Sequence, residues 1–154
     1  TEQILVLGGG GFIGRNIVAS LLEKADCNVV AADIREGSNW NELTTDNDKK
    51  DRFRCIVDDF TNIEAFNKLN QSFDEIYMLA AVVGVNRTLE YPEDVIKINT
   101  LLTMNTLDYI SRNPIKKLLF ASSSENYAGT SDLFDCEIPT PETVALCIGD
   151  VKHP

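Results

Sequence analysis

The sequence has few of the residues that build metal sites, disulfide frameworks or membrane spans. Its 154 residues include one histidine, His153, and four cysteines without a C-x-x-C pair, so we expect neither zinc ligation nor a disulfide framework. No apolar run approaches the roughly 20 residues of a membrane span, and the amino terminus lacks a basic and apolar secretory signal. We therefore expect a cytoplasmic protein with no membrane partner. Cys27 and Cys55, beside apolar runs, are expected to be buried free thiols.

Positive charge is scarce as well. Lys and Arg number 14 against 24 Asp and Glu, which gives a formal net charge of -10. Without a basic field to attract phosphates, the chain is not expected to bind nucleic acid or an anionic membrane surface. An anionic ligand would have to be held by local groups. The hydrophobic content of 44% and charged content of 25% are typical of one ordinary globular domain.

Glycine, in contrast, is concentrated near the amino terminus, where apolar residues 5–7 lead into four consecutive glycines at 8–11. The apolar periodicity of residues 12–25 predicts a helix, so the segment predicts a strand, a tight turn and a helix start. Glycines let a pyrophosphate approach the backbone N–H groups at the positive helix end. The spacing Gly8-x-x-Gly11-x-x-Gly14 differs by one residue from the dinucleotide fingerprint G-x-G-x-x-G. An ordinary turn between a strand and a helix is the alternative.

Short apolar runs alternate with helical patterns along the following chain. Further strands are predicted at residues 28–33, 53–57, 75–81 and 116–121. Thr61 and Glu64 predict a capping box for one helix, and Pro92 begins a long helix that ends before Asn113. Residues 36–52 are expected to form a loop with one helical turn. This alternation predicts βαβ crossovers and a doubly wound α/β fold around a parallel sheet.

An acidic residue, Asp33, ends the second predicted strand about 20 residues beyond the glycines. A carboxylate there accepts hydrogen bonds from a ribose diol and repels a 2′-phosphate, which favours NAD over NADP. Arg35 lies two residues later, and its guanidinium would pair with such a phosphate. The alternative is that Asp33 caps a turn.

Five short motifs follow one another in order. The sequence reads GGGGFIG at residues 8–14, DF at 59–60 and LAA at 79–81. Asn99 and Thr103 lie on the long predicted helix, and SSSENY at 122–127 follows the fifth strand. Across about residues 3–129, the sequence resembles the extended short-chain dehydrogenase/reductase superfamily. Within it, the motifs resemble those of the NAD-dependent nucleotide-sugar epimerases, dehydratases and decarboxylases.

The resemblance implies a Rossmann domain over residues 1–129 that holds NAD, with NADP as the less favoured cofactor. It places the adenine amino group on Asp59 and the adenine ring against Phe60. The alternative for the adjacent acids Asp58 and Asp59 is a solvated strand end. The cofactor contacts expected from the spacing and the resemblance together are Gly8, Gly11, Phe12, Ile13, Gly14, Asp33, Ile34, Arg35, Asp59, Phe60, Leu79, Ala80, Ala81, Asn99 and Ser122.

The resemblance also implies catalytic roles in the SSSENY segment. Ser123 matches the catalytic Ser or Thr whose hydroxyl binds the sugar hydroxyl being oxidised; the alternative is a hydroxyl that satisfies the strand-end backbone. Glu125 matches the glutamate of dehydratases and decarboxylases, which needs a pKa raised by burial, although many epimerases carry Glu there without that role. Arg87, expected in the loop after the fourth strand, would meet a substrate phosphate or carboxylate or else be a solvated surface residue.

One motif of the family is missing from these residues. The catalytic Y-x-x-x-K is absent, because lysine does not stand four residues after any tyrosine of the sequence. Residues 130–154 are acidic, contain several prolines and show little periodicity. We expect an amino-terminal part of a longer homodimeric enzyme that acts on nucleotide sugars, with its carboxyl-terminal substrate subdomain largely missing and therefore inactive alone. The alternative is a non-catalytic NAD-binding or interaction module.

Overall fold

A five-stranded parallel sheet in the order β3-β2-β1-β4-β5 organises the computed structural model, which describes residues 1–37 and 40–149. The chain runs outward from β1 to β3 and then returns to β4 on the other side of β1, so the strand order reverses between β1 and β4. The predicted doubly wound α/β fold is confirmed. Positions 38–39 of the predicted loop and 150–154 of the tail, with His153, lie outside the described residues. The strands are β1 Glu2–Leu7, β2 Cys27–Asp33, β3 Phe53–Val57, β4 Glu75–Met78 and β5 Lys117–Phe120.

Strands β1 and β2 are buried on both faces, which explains their continuous apolar runs. Because side chains alternate along a strand, β1 divides its residues between two cores. Leu5 and Leu7 pack on the face covered by the later part of the chain, together with Phe66 and Tyr109. Ile4 and Val6 pack on the opposite face with Val18, Leu21, Leu22 and Trp40.

Six α-helices and two 3-10 helices connect or follow the strands within the described residues. The 3-10 helices span Ile63–Lys68 and Ser124–Tyr127. The α-helices are α1 Phe12–Leu22, α2 Trp40–Leu43, α3 Asn47–Arg52, α4 Val85–Glu90, α5 Pro92–Arg112 and α6 Ala128–Leu133. Helix α5 begins at Pro92 and ends before its C-cap Asn113, as predicted.

Helix α1 ends at Leu22, three residues before the predicted end, and Arg52 binds backbone carbonyl oxygens between this point and the start of β2. Its Nη2 donates to Leu22 O at 3.0 Å, and its Nη1 donates to Lys24 O at 2.8 Å and Cys27 O at 2.9 Å. An ion pair with Asp48 holds the guanidinium at 2.8 Å. The segment 36–52 was expected to be a loop with one helical turn, but its described residues form two helices, α2 and α3. Arg52 is the last residue of α3.

The predicted capping box is wrong. Asn62, not Thr61, is the N-cap of the 3-10 helix, and its side chain accepts a hydrogen bond from Glu64 N at 3.1 Å. The Thr61 hydroxyl instead donates to Asp59 Oδ1 at 2.7 Å, so it is not available to the helix. The segment Ile63–Lys68 is a 3-10 helix and not the α-helix that its apolar side suggested.

Two further helices differ from the expectations. Arg87 lies on α4, a helix that the sequence did not indicate, and is exposed there. Helix α6 crosses the expected boundary between residues 129 and 130. Its buried Thr130 donates through Oγ1 to Ala145 O at 2.6 Å and accepts from Cys147 N at 3.1 Å, which holds part of the following segment against the helix.

All four cysteines are free. Cys27 is buried as predicted, whereas Cys55 is half-buried, and burial raises the pKa of both thiols. Over the described residues, no helix is both long and apolar enough to cross a membrane.

Candidate functional site

The carboxyl ends of the five strands bring the predicted site residues to one edge of the sheet. In a parallel sheet these ends share an edge, and the reversal of strand order between β1 and β4 opens a crevice there. Leu79 N donates to Leu7 O at 2.9 Å, so the loops after β1 and β4 leave the sheet side by side. The residues that lie at this edge are the glycines 8–11, Asp33, Asp59, residues 79–81 and Ser122.

Two of the predicted glycines are required by the protein's own packing. Gly8 has a φ of +83°, and a Cβ there would lie 2.7 Å from Ala80 N. A Cβ on Gly14 would lie 2.1 Å from Gly8 O, because the first turn of α1 rests on the glycine loop. These contacts hold the glycine loop, which joins β1 to α1, against the loop after β4 and against the first turn of α1.

Gly11 is different, because a Cβ there would have only one atom within 4 Å and would meet it less closely than at Gly8 or Gly14. The nearest atom to such a Cβ is Gly8 O, at 3.3 Å. Gly11 is the N-cap of α1, and no side chain among the described residues caps this helix. The first-turn N–H groups, including those of Phe12 and Ile13, therefore lie at the positive end of the helix dipole without a side-chain cap. This geometry fits a phosphate group.

The Asp33 carboxylate lies beside this loop. It accepts from Gly10 N at 2.9 Å through Oδ2 and from Arg35 N at 3.3 Å through Oδ1. The turn-capping alternative is therefore present in the structure, but each carboxylate oxygen keeps a further lone pair for a ribose hydroxyl. Ile34 and Arg35 are exposed next to it.

The loop after β3 presents Asp59 in a defined orientation. Asp59 Oδ1 accepts from Thr61 N at 3.0 Å and from Thr61 Oγ1 at 2.7 Å, while Asp59 remains exposed. The expected contact of the Phe60 ring with an adenine is wrong, because that ring is 3% exposed and packs edge-to-face on Phe66 at 5.1 Å. Asp58 pairs with Lys68 at 2.7 Å, which holds the pKa of its carboxyl below the usual range.

Sequence reasoning missed Asn105, which supports this loop from α5. Its Nδ2 donates to Phe60 O at 3.1 Å and to Thr61 O at 2.8 Å, and the residue is 8% exposed. A signal was present in the sequence: Asn105 interrupts the inward-facing positions of α5 that run from Leu102 to Tyr109. A polar residue at such a position needs a partner.

Asn99, on the same helix, holds the loop after β4. Its Oδ1 accepts from Val82 N at 2.7 Å and its Nδ2 donates to Val82 O at 3.0 Å. The side chain therefore pairs with the backbone just beyond residues 79–81. Helix α5 thus fixes two of the loops that border the crevice, one through Asn99 and one through Asn105.

The SSSENY segment lies after β5, at the same edge. Ser123 is the N-cap of the 3-10 helix Ser124–Tyr127, and its Oγ accepts from Glu125 N at 3.2 Å. This is the backbone role weighed as the alternative, and it leaves the hydroxyl hydrogen available to a ligand. Ser122 Oγ accepts from Asn126 Nδ2 at 2.8 Å. Glu125 is exposed, so the described residues do not supply the burial that a proton-abstracting carboxylate needs.

Known proteins have sequences similar to that of this chain. UDP-glucuronate 4-epimerase from Thermodesulfobacterium geofontis is 30% identical over 148 residues, which cover 89% of this chain and 45% of that protein. dTDP-glucose 4,6-dehydratase from Mycobacterium tuberculosis is 29% identical over 134 residues, which cover 86% of this chain and 39% of that protein. The chain therefore spans under half the length of these relatives.

A solved structure is similar over nearly the whole chain. UDP-N-acetylglucosamine 4-epimerase from Methanobrevibacter ruminantium, in complex with UDP-N-acetylmuramic acid, superposes with a TM-score of 0.73 at 25% identity. The match covers 95% of this chain and 44% of that one. The NAD dependent epimerase/dehydratase family matches residues 4–145, a range that includes strands β2 to β5, most of β1 and each candidate site residue described above. With its glycine loop, its anchored Asp33 and this match, the chain belongs to the NAD-dependent epimerase/dehydratase family.

Proposed function

We propose that this chain is the NAD-binding part of an enzyme that oxidises a hydroxyl of a nucleotide sugar and then epimerises, dehydrates or decarboxylates it. The observation that carries the proposal is the glycine loop at the amino end of α1, where no side chain caps the helix and a Cβ on Gly11 would have one atom within 4 Å, with the Asp33 carboxylate anchored beside it. Packing within the protein restricts a Cβ less at Gly11 than at Gly8 or Gly14, whereas a bound pyrophosphate would exclude one there.

The crevice residues divide among the parts of NAD. The first-turn N–H groups of α1 would bind the pyrophosphate, and Asp33 would accept from the adenosine ribose hydroxyls. Asp59 would accept from the adenine amino group next to the Phe60 backbone. Residues 79–81, held through Asn99, would border the other half of the dinucleotide. When bound, NAD would supply the redox chemistry by accepting a hydride from the sugar.

We propose NAD rather than NADP as the cofactor. Both oxygens of Asp33 already accept backbone N–H groups, which orients the carboxylate, and a 2′-phosphate on the adenosine ribose would lie close to it. The negative charges of the carboxylate and the phosphate would repel each other. Arg35 is exposed nearby, and its guanidinium would favour NADP.

Ser123 would orient the sugar hydroxyl. Its hydroxyl oxygen accepts from Glu125 N, which fixes the side chain and directs the remaining hydrogen away from the 3-10 helix. Because no tyrosine here is followed by lysine at the fourth position, we propose that another part of the protein contributes the proton acceptor. By the same reasoning, these 154 residues alone would bind NAD without turnover.

Two further properties are part of the proposal. Exposed apolar side chains on α5, among them Ile96, Met104 and Leu107, support a homodimer that buries this helix in the full-length protein. The four free thiols support a reducing, cytoplasmic location.

The proposal is tested by titrating the full-length protein with NAD and NADP in a calorimeter and by assaying turnover of UDP- and dTDP-sugars. We expect preferential NAD binding and turnover of one nucleotide sugar. Ser123→Ala should keep the NAD affinity and lower kcat, whereas Ser124→Ala, a change at a neighbouring exposed serine, should alter neither. NAD binding without turnover of any nucleotide sugar would favour the non-catalytic module, and absence of NAD binding would refute both functions.

A further inference from the structure

The side chain of Asn105 connects the middle of α5 to a loop more than 40 residues earlier in the chain. Its Nδ2 donates to Phe60 O at 3.1 Å and Thr61 O at 2.8 Å, at sequence separations of 45 and 44 residues. At 8% exposure the amide is nearly removed from water, so its partners are these two carbonyl oxygens. Hydrogen bonds of this kind are stronger where water is excluded.

The supported loop controls the orientation of Asp59. Asp59 Oδ1 accepts both the backbone N–H and the hydroxyl of Thr61, so the carboxylate turns with Thr61. Asn105 holds the Thr61 carbonyl from the other side of the same residue. One chain of hydrogen bonds therefore runs from α5 through Thr61 to the exposed carboxylate, and Oδ2 is left to accept from a ligand.

We propose that Asn105 is a positioning residue that sets the preference of the dinucleotide site for adenine over hypoxanthine; this inference rests on the proposed function. Adenine carries an amino group that donates to a carboxylate, whereas hypoxanthine carries a carbonyl oxygen at the same place, which a carboxylate repels. A site discriminates between such bases only if its acceptor is held in one position. Without Asn105, the loop that carries Asp59 can shift and admit water, and the difference between the two bases decreases.

The test compares NAD with nicotinamide hypoxanthine dinucleotide by calorimetry on the full-length protein. The unmodified protein should bind NAD more tightly. In Asn105→Ala, we expect the NAD affinity to fall about tenfold and the preference for NAD over the hypoxanthine analogue to fall by a similar factor, as expected for about one lost hydrogen-bond contribution. The stability of each variant is followed by urea unfolding in parallel.

Tyr109→Phe is the matched control. Tyr109 is also buried on α5, and its hydroxyl donates to a loop carbonyl, Gln71 O, at 3.1 Å, away from the strand ends that form the crevice. This variant should lose stability without losing the preference for adenine. A merely structural role for Asn105 would make the two variants behave alike.

A second variant, Asn105→Ser, keeps a polar group in the space but is too short to reach the loop carbonyls, and it replaces the alanine variant if that does not fold. An unchanged preference in the folded Asn105 variant would overturn this inference and leave the proposed function intact. An equal loss of preference in Tyr109→Phe would also overturn it. Failure of the unmodified protein to bind either dinucleotide would overturn the proposed function and this inference together.

Discussion

Gly11 and Gly14 lie three residues apart, yet an alanine should have different consequences at the two positions. At Gly14, the new Cβ would lie 2.1 Å from Gly8 O and 2.8 Å from Gly9 Cα. Both are backbone atoms, so α1 would have to move away from the glycine loop. Overpacking commonly lowers the free energy of unfolding by about 1–3 kcal/mol. Because the contacts at Gly14 are this close and involve backbone atoms, we expect Gly14→Ala to lower the free energy of unfolding by about 3 kcal/mol.

Gly11→Ala should instead lower stability much less than Gly14→Ala does. The nearest atom to the new Cβ is Gly8 O at 3.3 Å, and the backbone angles of Gly11, φ -75° and ψ 172°, are ordinary for alanine. The reduced freedom of the unfolded chain contributes about 0.4–1 kcal/mol of stability, which offsets the weaker helix cap. The Cβ would, however, project into the space assigned to the pyrophosphate, so NAD should bind at least about tenfold more weakly, or roughly 1.4 kcal/mol.

Urea unfolding and NAD calorimetry on the two variants separate these effects. We expect Gly14→Ala to shift the unfolding midpoint strongly and Gly11→Ala to shift it little while losing NAD affinity. Unimpaired NAD binding by Gly11→Ala would refute the assignment of the space beside Gly11 to the pyrophosphate of the cofactor. A loss of stability in Gly11→Ala equal to that of Gly14→Ala would show that packing within the protein requires a glycine at position 11.

Two further predictions concern stability. Arg52→Met should lower the Tm by about 5 °C, because it leaves three backbone carbonyls, from the end of α1 to the first residue of β2, without their shared donor. Arg52→Lys keeps the charge without the planar fork, so its Tm should lie between those of Arg52→Met and the unmodified protein. A Tm of Arg52→Met equal to that of the unmodified protein would contradict this role. Lys116 and the Gln3 N–H hold the pKa of the Asp74 carboxyl below its usual value of 3.8, so this contribution to stability is present above that pH and is lost as the pH falls through the lower native pKa. Asp74→Asn should therefore lower stability near pH 7 and flatten the pH dependence of urea unfolding below about pH 4.

Most of the fold was predictable because it rests on local signals. Continuous apolar runs indicated the five strands, and Pro92 and Asn113 marked the ends of α5 correctly. The short helices were less predictable. Helix α4 is six residues long and has no buried residue, so it carries no apolar stripe that a sequence reader would detect.

The candidate site was predictable in its position but not in its support. The glycines and Asp33 were located because each stands at the end of an apolar run, where a parallel sheet collects ligand-binding groups. Phe60 was expected to contact adenine, but its ring lies in the core, where it packs against Phe66. That outcome depended on a partner whose position only the folded chain defines.

By itself, the sequence determined the parallel sheet, the glycine loop after β1 and the place of the acidic residues at the strand ends, because periodicity and strand-end composition are properties of neighbouring residues. The tertiary structure alone decided how Asn105, Asn99 and Arg52 act. Each of these side chains binds the backbone of a segment 17 to 45 residues away, and no local pattern encodes such a pairing. Buried or half-buried polar groups must find partners, but which backbone groups they meet is decided by how helices and strands pack.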